Sequence, residues 1–405
     1  MKNLIRFLAL ITIFVSCSRF DIKNMSEEEI KNLAAELSKK IIIVDTHIDL
    51  PYRLLEHMED VTMRTEGGNF DYPRALEGGL NAPFMSIYIP ASFEGTPDAL
   101  NTANKLIDLV DELIKNNPDK FAYAFSPDDV RENFEKGLIS LPMGMENGSP
   151  IGGEINRLEY FYKRGIRYIT LAHSKSNHIC DSSYDEERQW HGLSPFGKEL
   201  VKAMNNIGMM IDVSHITDEA FYQVIEISKT PVIASHSCCR FFTPGWERNM
   251  SDDMIIKLAE KGGVIQIAFG SSFVDGGILE QGNQFWSDVG NFMKENDLKR
   301  NDPLVEEFIK QYREEHPRMY STVSKVVDHI DHVVKIAGID HVGIGSDFDG
   351  LGDSLPAGLK DVSMYPNIIY ELLKRGYSEE DIEKICSGNL LRVWQSIQDY
   401  SEENM

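Results

Sequence analysis

Short apolar segments recur along this chain, and helical patterns lie between most of them. The apolar segments are IIIVDTH (41–47), FMSIYIP (84–90), FAYAF (121–125), LISLPMGME (138–146), IRYITLAHS (166–174), MMIDVSH (209–215), PVIASHS (231–237), GVIQIAF (263–269) and HVGIGSDFDG (341–350). Stretches such as DALNTANKLIDLVDELIKN, SPFGKELVKAMNNIG, TDEAFYQVIEIS and SDDMIIKLAEKGG alternate with them. Repeated strand–helix units imply a parallel sheet with helices outside, because each helix must return the chain to the starting edge. About eight units without an obvious linker predict a closed (β/α)8 TIM-like barrel. A doubly wound open sheet is the alternative, but no glycine-rich phosphate fingerprint follows the first strand.

The chain has 405 residues, enough for one large domain or two ordinary ones. The expected layout is a leader over 1–16, a tether and helix over 17–40, and one barrel over 41–400. SEEEIKNLAAELSKK (26–40) reads as a helix with a serine cap and an acidic first turn. Residues 270–320 form the one long irregular region, expected to place one or two helices over the barrel mouth.

The leader, MKNLIRFLALITIFVSCSRF, has a short positive start and an apolar run from Phe7 to Val15. That run is far shorter than the roughly 20 residues of a membrane-spanning helix and fits a secretory signal. FVSC is similar to a bacterial lipoprotein processing site, which would make Cys17 the lipid-bearing first residue. The expected location is the bacterial cell envelope, with the exported chain anchored to a membrane surface. Cys180, Cys238, Cys239 and Cys386 remain, too few for a disulfide scaffold. A Cys180 bridge to Cys238 or Cys239 stays open. With 41 basic and 64 acidic residues the formal net charge is −23, which argues against nucleic acid as a partner.

Polar residues gather at the C-terminal ends of the predicted strands. His47 and Asp49 close the first; Glu146, His173, His215, His236 and Asp347 close later ones. In a parallel barrel these ends share the face where active sites are built. Histidines and carboxylates converging there make a metal-site composition, since buried charge is costly unless paired or metal-bound. Alternation puts His47 and Asp49 on one side of their strand as a two-ligand clip. Asp45 shares that parity but lies deeper, as a support for a ligand or a satisfied polar residue.

Other residues read as structural. His329 and His332, in KVVDHIDHVVKIAG, have the spacing of a metal clip but fit the polar face of an outer helix better. His341 starts its strand, at the non-catalytic end. His57, His178, His191 and His316 fall in loops, with solvated surface as the default. Cys238 and Cys239 follow a candidate ligand and fit loop packing. No G-x-S-x-G elbow supports a serine hydrolase.

The ordered motifs DTHIDLP, GMENG, LAHSKSN, GLSPFGKELVKAMNNIGMMIDVSH, PVIASHS, RNMSDD and GIGSDFDG make the chain resemble the membrane (renal) dipeptidase family of zinc-dependent metallopeptidases. The resemblance runs from about residue 41 to about residue 396. It implies two zinc ions per chain: His47 and Asp49 on one, His215 and His236 on the other, and Glu146 bridging both. It implies hydrolysis of free dipeptides by a metal-bridging hydroxide, including those with a C-terminal D-residue. His173 would polarise the substrate, Arg248 would bind its carboxylate, and Asp347 would handle its amine and the proton transfer. Arg240 competes with Arg248 for the arginine role, and the Arg-Asn pair before a capped helix favours Arg248. A homodimer is plausible on the same grounds. GMENG is shorter than the Glu-Gly run of many relatives, and Gly270 stands where some carry an aromatic residue; both bear on substrate preference. The rival classes are another binuclear amidohydrolase, a deaminase or lactonase, and a non-catalytic metal-binding lipoprotein.

Overall fold

The computed structural model describes residues 22–404, so the leader and Cys17 lie outside the described residues. Eight strands form one parallel sheet in sequence order: β1 (Ile43–Ile48), β2 (Leu80–Tyr88), β3 (Met143–Glu146), β4 (Ile166–Thr170), β5 (Met210–Asp212), β6 (Ile233–Ser237), β7 (Val264–Ile267) and β8 (Val342–Ile344). Closure comes just beyond β8. Asp347 N–H donates to the His47 carbonyl at 3.1 Å, and Asp49 N–H to the Phe348 carbonyl at 2.8 Å. The barrel expectation therefore holds, with helices outside it.

FAYAF does not join the barrel. Only Phe121–Ala122 is extended, and it pairs with Ile139–Ser140 in a separate two-stranded sheet. The predicted strand over 138–146 thus breaks in two, at Leu141-Pro142, and only its second half enters the barrel.

The helices start where side-chain oxygens satisfy their free N–H groups. Ser26, Thr96, Ser126, Ser194, Thr217, Ser251, Thr322 and Ser378 all cap in this way. The helix Glu27–Lys40 buries Ile30, Leu33, Ala34 and Leu37 and packs on the helix Tyr365–Arg375. It is part of the folded body.

The barrel interior is a packed core. Val44, Ala82, Phe84, Tyr168, Met210, Ile233 and Val264 form one cluster with Leu390, Leu391, Val393, Trp394 and Ile397 of the last helix, Asn389–Asn404. Burying a side chain such as Phe84 contributes roughly 1.5–3 kcal/mol. Gly144 in β3 is required by this packing: a Cβ there would lie 1.9 Å from Cζ of Tyr168. Residues 270–320 carry three helices, Ser271–Val274, Gly276–Glu295 and Pro303–Glu315. Phe285, Val289 and Val305 give the last two a small core of their own, whereas Val274 of the first joins the main core.

Candidate metal centre and active site

The barrel brings His47, Asp49, Glu146, His173, His215, His236 and Asp347 to one end. His47 lies within β1, His236 within β6, and Glu146 ends β3. Asp49 follows β1 directly, whereas His173, His215 and Asp347 lie on the turns beyond β4, β5 and β8. Two of these turns are left-handed: φ is 70° at His215 and 64° at Asp347. Such non-glycine positions cost on the order of 1–3 kcal/mol and persist only when their surroundings hold them. The His215 carbonyl accepts from Ser183 N–H at 2.8 Å, and Asp347 N–H is tied to β1 as above.

Asp45 does not share a face with His47. The register slips between Asp45 and Ile48, so alternation fails there. The Asp45 carboxylate accepts from His47 N–H (3.1 Å), Ser346 N–H (2.9 Å) and the hydroxyl of Tyr365, on an outer helix. It pins the two backbones that carry His47 and Asp347. Asp212 does the same between β5 and β6, accepting from Ser214 N–H (3.0 Å) and Ser235 N–H (2.8 Å). Sequence reasoning passed over Asp212. The signal was a second carboxylate inside an apolar strand, two residues before the Ser214-His215 turn.

Glu146 is the hub. Its Oε1 lies 3.2 Å from His215 Nε2, 3.3 Å from His236 Nε2 and 3.6 Å from His173 Nε2, and its Oε2 lies 3.4 Å from His47 Nε2. Asp49 Oδ2 is 3.7 Å from His47 Nε2. Three overlapping sets have ligand atoms within 4.8 Å of one another: His47, Glu146 and His236; Glu146, His173 and His215; His47, Asp49 and Asp347. His236 thus groups with His47 through Glu146, while its Nε2 lies 2.7 Å from that of His215.

Positive charge is favoured among these groups. Burial opposes charge on His47, but Glu146 and Asp49 outweigh it and push the imidazole up to about 10. Burial and then Arg248 hold His215 well below its ordinary value; burial and then His47 do so for His236. Both are therefore neutral, with their Nε2 atoms 2.7 Å apart beside a carboxylate oxygen. Burial opposes ionisation of Glu146, yet His47 and His173 keep it well below the usual range. Burial raises Asp49, against His47, and the neighbouring Glu146 and Asp347 raise it further. Converging acceptors in a buried site leave electron pairs that a divalent cation satisfies. His47 Nε2 and Asp49 Oδ1 are buried and have no hydrogen-bond partner among the described residues.

Arg248 and Arg240 part company. Arg248 is buried at the cluster, donating to the His236 carbonyl (2.7 Å), Ser237 Oγ (3.0 Å) and His215 Nε2 (3.0 Å). Arg240 is committed to Asp218 by bonds of 2.7 and 2.6 Å. Phe273, from the 270–320 region, lies under Arg248 at 5.3 Å and against Trp246 at 5.2 Å. Tyr184 sits 5.8 Å from the His215 ring, and Tyr88 4.9 Å from the His173 ring. Tyr88 ends β2 and Phe273 lies in the helix Ser271–Val274, while Tyr184 and Trp246 come from loops; their convergence on the site was not legible in the sequence.

The remaining histidines take structural places. His329 is not on a solvated face; it is fully buried. Its Nδ1 accepts from Cys239 N–H at 3.0 Å and its Nε2 donates to the Val274 carbonyl at 3.1 Å. His332 pairs with Asp252 at 2.8 Å, and His341 with the Gly263 carbonyl. His178 is bonded to Glu94 at 2.8 Å rather than free in solvent. The four described cysteines are buried free thiols, so no Cys180 bridge forms.

A parallel barrel whose mouth gathers histidines and carboxylates about one glutamate defines a metal-dependent hydrolase. The model of the membrane dipeptidase family, peptidase family M19, matches residues 31–405, and the chain belongs to that family. Dipeptidase tcpJ of Claviceps purpurea is 34% identical over 82% of this chain and 70% of its own length. Dipeptidase 3 of Mus musculus is 30% identical over 94% of this chain and 69% of its own. The crystal structure of the probable dipeptidase PvdM from Pseudomonas aeruginosa superposes with a TM-score of 0.80 at 28% identity, covering 92% of this chain and 99% of that one. The protein is a metallopeptidase that acts on dipeptides.

Proposed function

We propose that this enzyme uses two zinc ions, held by His47, Asp49, Glu146, His215 and His236, to hydrolyse free dipeptides, including those with a C-terminal D-residue. The observation that carries the reading is Glu146, whose two oxygens face four imidazoles within 3.6 Å. Neutral imidazoles and carboxylates are the donor set zinc takes. When bound, the metal supplies Lewis acidity that polarises the scissile carbonyl and acidifies the attacking water. Asp347 takes that water's proton and returns it to the nitrogen of the leaving amine as the C–N bond breaks. His173, on the open side of Glu146, donates to the carbonyl oxygen as negative charge develops there. Arg248 binds the substrate carboxylate through charge-assisted hydrogen bonds. Recognition of both termini restricts the substrate to very short peptides.

Zinc analysis joined to a dipeptide panel, with L,D pairs and C-terminally amidated analogues, tests this. The expected result is about two zinc ions per chain and poor turnover of the amides. Arg248→Ala is expected to raise KM for free-carboxylate dipeptides roughly 10- to 100-fold, as loss of a charge-assisted bond implies. Arg240→Ala should leave KM unchanged. Equal rates on free and amidated substrates would rule out the carboxylate clamp.

The proposal extends to location: export, with attachment to a membrane surface through lipidated Cys17. Among the described residues no helix is long and apolar enough to cross a membrane. Fatty-acid labelling in the bacterial envelope should be lost in Cys17→Ser. Label retained in that variant would refute the anchor.

A further inference from the structure

Two of the histidines at the centre are backed by hydroxyl groups whose own proton is already committed. Tyr168 donates its O–H to the Thr46 carbonyl at 2.9 Å, and its oxygen lies 2.9 Å from His47 Nδ1. A hydroxyl has one proton, so at the second contact the oxygen accepts and Nδ1 carries the hydrogen. Ser235 repeats this on β6. Its Oγ donates to Asp212 Oδ2 at 2.6 Å and lies 2.8 Å from His236 Nδ1. With Nδ1 protonated, Nε2 is the ring atom that can bind a cation in place of a proton, and both Nε2 atoms face Glu146, at 3.4 and 3.3 Å.

We propose that Tyr168 and Ser235 are positioning residues that fix His47 and His236 as Nδ1–H tautomers, so that two Nε2 lone pairs are presented to a divalent cation. This rests on reading the cluster as a metal centre. Each relay is itself anchored in the barrel. The Tyr168 ring crosses the interior from β4, fits over Gly144 and packs against Phe84 at 5.6 Å. Thr46, whose carbonyl takes the tyrosine proton, is tied by its own hydroxyl to the Ile344 carbonyl at 3.1 Å. Asp212 is held by two backbone N–H groups and by the Thr170 hydroxyl. Neither hydroxyl can reverse its role without leaving a buried carbonyl or carboxylate oxygen short of a donor. Asp212 therefore reaches the metal centre through Ser235, and the Thr46 carbonyl reaches it through Tyr168. An outer partner of this kind orients a metal-binding imidazole and raises its basicity.

The test uses the zinc-loaded enzyme and the variants Tyr168→Phe and Ser235→Ala, with Ser235→Thr as the hydroxyl-retaining control. Zinc affinity is read by competition with a chelator. The ring nitrogens of histidine-labelled wild-type enzyme are read by NMR. Tyr168→Phe and Ser235→Ala are each expected to weaken zinc binding roughly 10- to 100-fold, with Ser235→Thr closer to wild type. The wild-type rings of His47 and His236 should show a protonated Nδ1 and a metal-bound Nε2. Unchanged zinc affinity in both folded variants overturns the relay. So does either ring bound through Nδ1, which decides the matter even if a variant fails to fold. A wild-type protein that takes up no divalent metal overturns the metal-centre reading and the relay together; normal uptake with indifferent variants overturns the relay alone.

Discussion

Glu146→Gln is expected to empty the metal centre, with zinc affinity falling by more than the 10- to 100-fold typical of a lost outer partner. The reason is that both carboxylate oxygens are in use. Oε1 faces three imidazole nitrogens and Oε2 a fourth, so the charge of one side chain faces all four imidazoles of the cluster. Glutamine keeps the shape but offers one acceptor and an NH2 group. Its N–H would meet a histidine lone pair in place of the cation. Asp49→Asn should cost less, because Asp49 reaches His47 alone among the imidazoles. The fold should survive Glu146→Gln, since the core of Val44, Phe84, Tyr168 and Trp394 forms a separate apolar layer of the barrel. Metal content by elemental analysis and turnover with added zinc check the result together. A variant that keeps its metal and its rate would show that Glu146 is no hub.

How much of this centre was readable depended on how local each cause is. The seven converging residues were legible because a parallel barrel sends all its strand ends to one face, whatever the details of each strand. The face of Asp45 was not, because strict alternation assumes an unbroken strand. The slip between Asp45 and Ile48 turns Asp45 towards Tyr365 and His47 towards Tyr168. FAYAF has the apolar content of a barrel strand, yet its partner Ile139–Ser140 takes it out of the ring. His329 looked like surface because its helix carries Asp328 and Asp331 beside it. Its burial comes from Cys239 and Val274, both far off in sequence. Asp212, Ser235 and Tyr168 share that reason for being missed. Each has a role only through contacts that involve another strand, and no sequence interval encodes those contacts.

Asp347→Asn is expected to lower kcat by about 10^2- to 10^4-fold, the range for loss of a positioned acid–base group, while zinc stays bound. Burial raises the Asp347 carboxyl, His47 opposes that, Glu146 raises it further, and the balance stands at about 6. A base must be ionised to accept a proton, so activity falls as pH drops through its pKa. A cation beside Asp347 favours the ionised form, which moves that limb lower. The acid limb of kcat/KM in the zinc-loaded enzyme should therefore lie below about 6, and Asp347→Asn should erase it. The geometry keeps a second outcome in view, because Asp347 lies within ligand distance of His47 and Asp49. Loss of zinc on Asp347→Asn would make it a ligand and remove it from the proton path. The turn that carries it leaves little freedom. Asp349, paired with Arg53 at 2.9 Å and with Asn69, anchors one side. On the other, a Cβ at Gly350 would come within 2.6 Å of Asp347 Oδ1 and 2.2 Å of Asp49 Oδ2. Both carboxylates thus lean on the bare Cα of Gly350. Asparagine fits that space and takes no proton, which is why it separates the acid–base role from the packing.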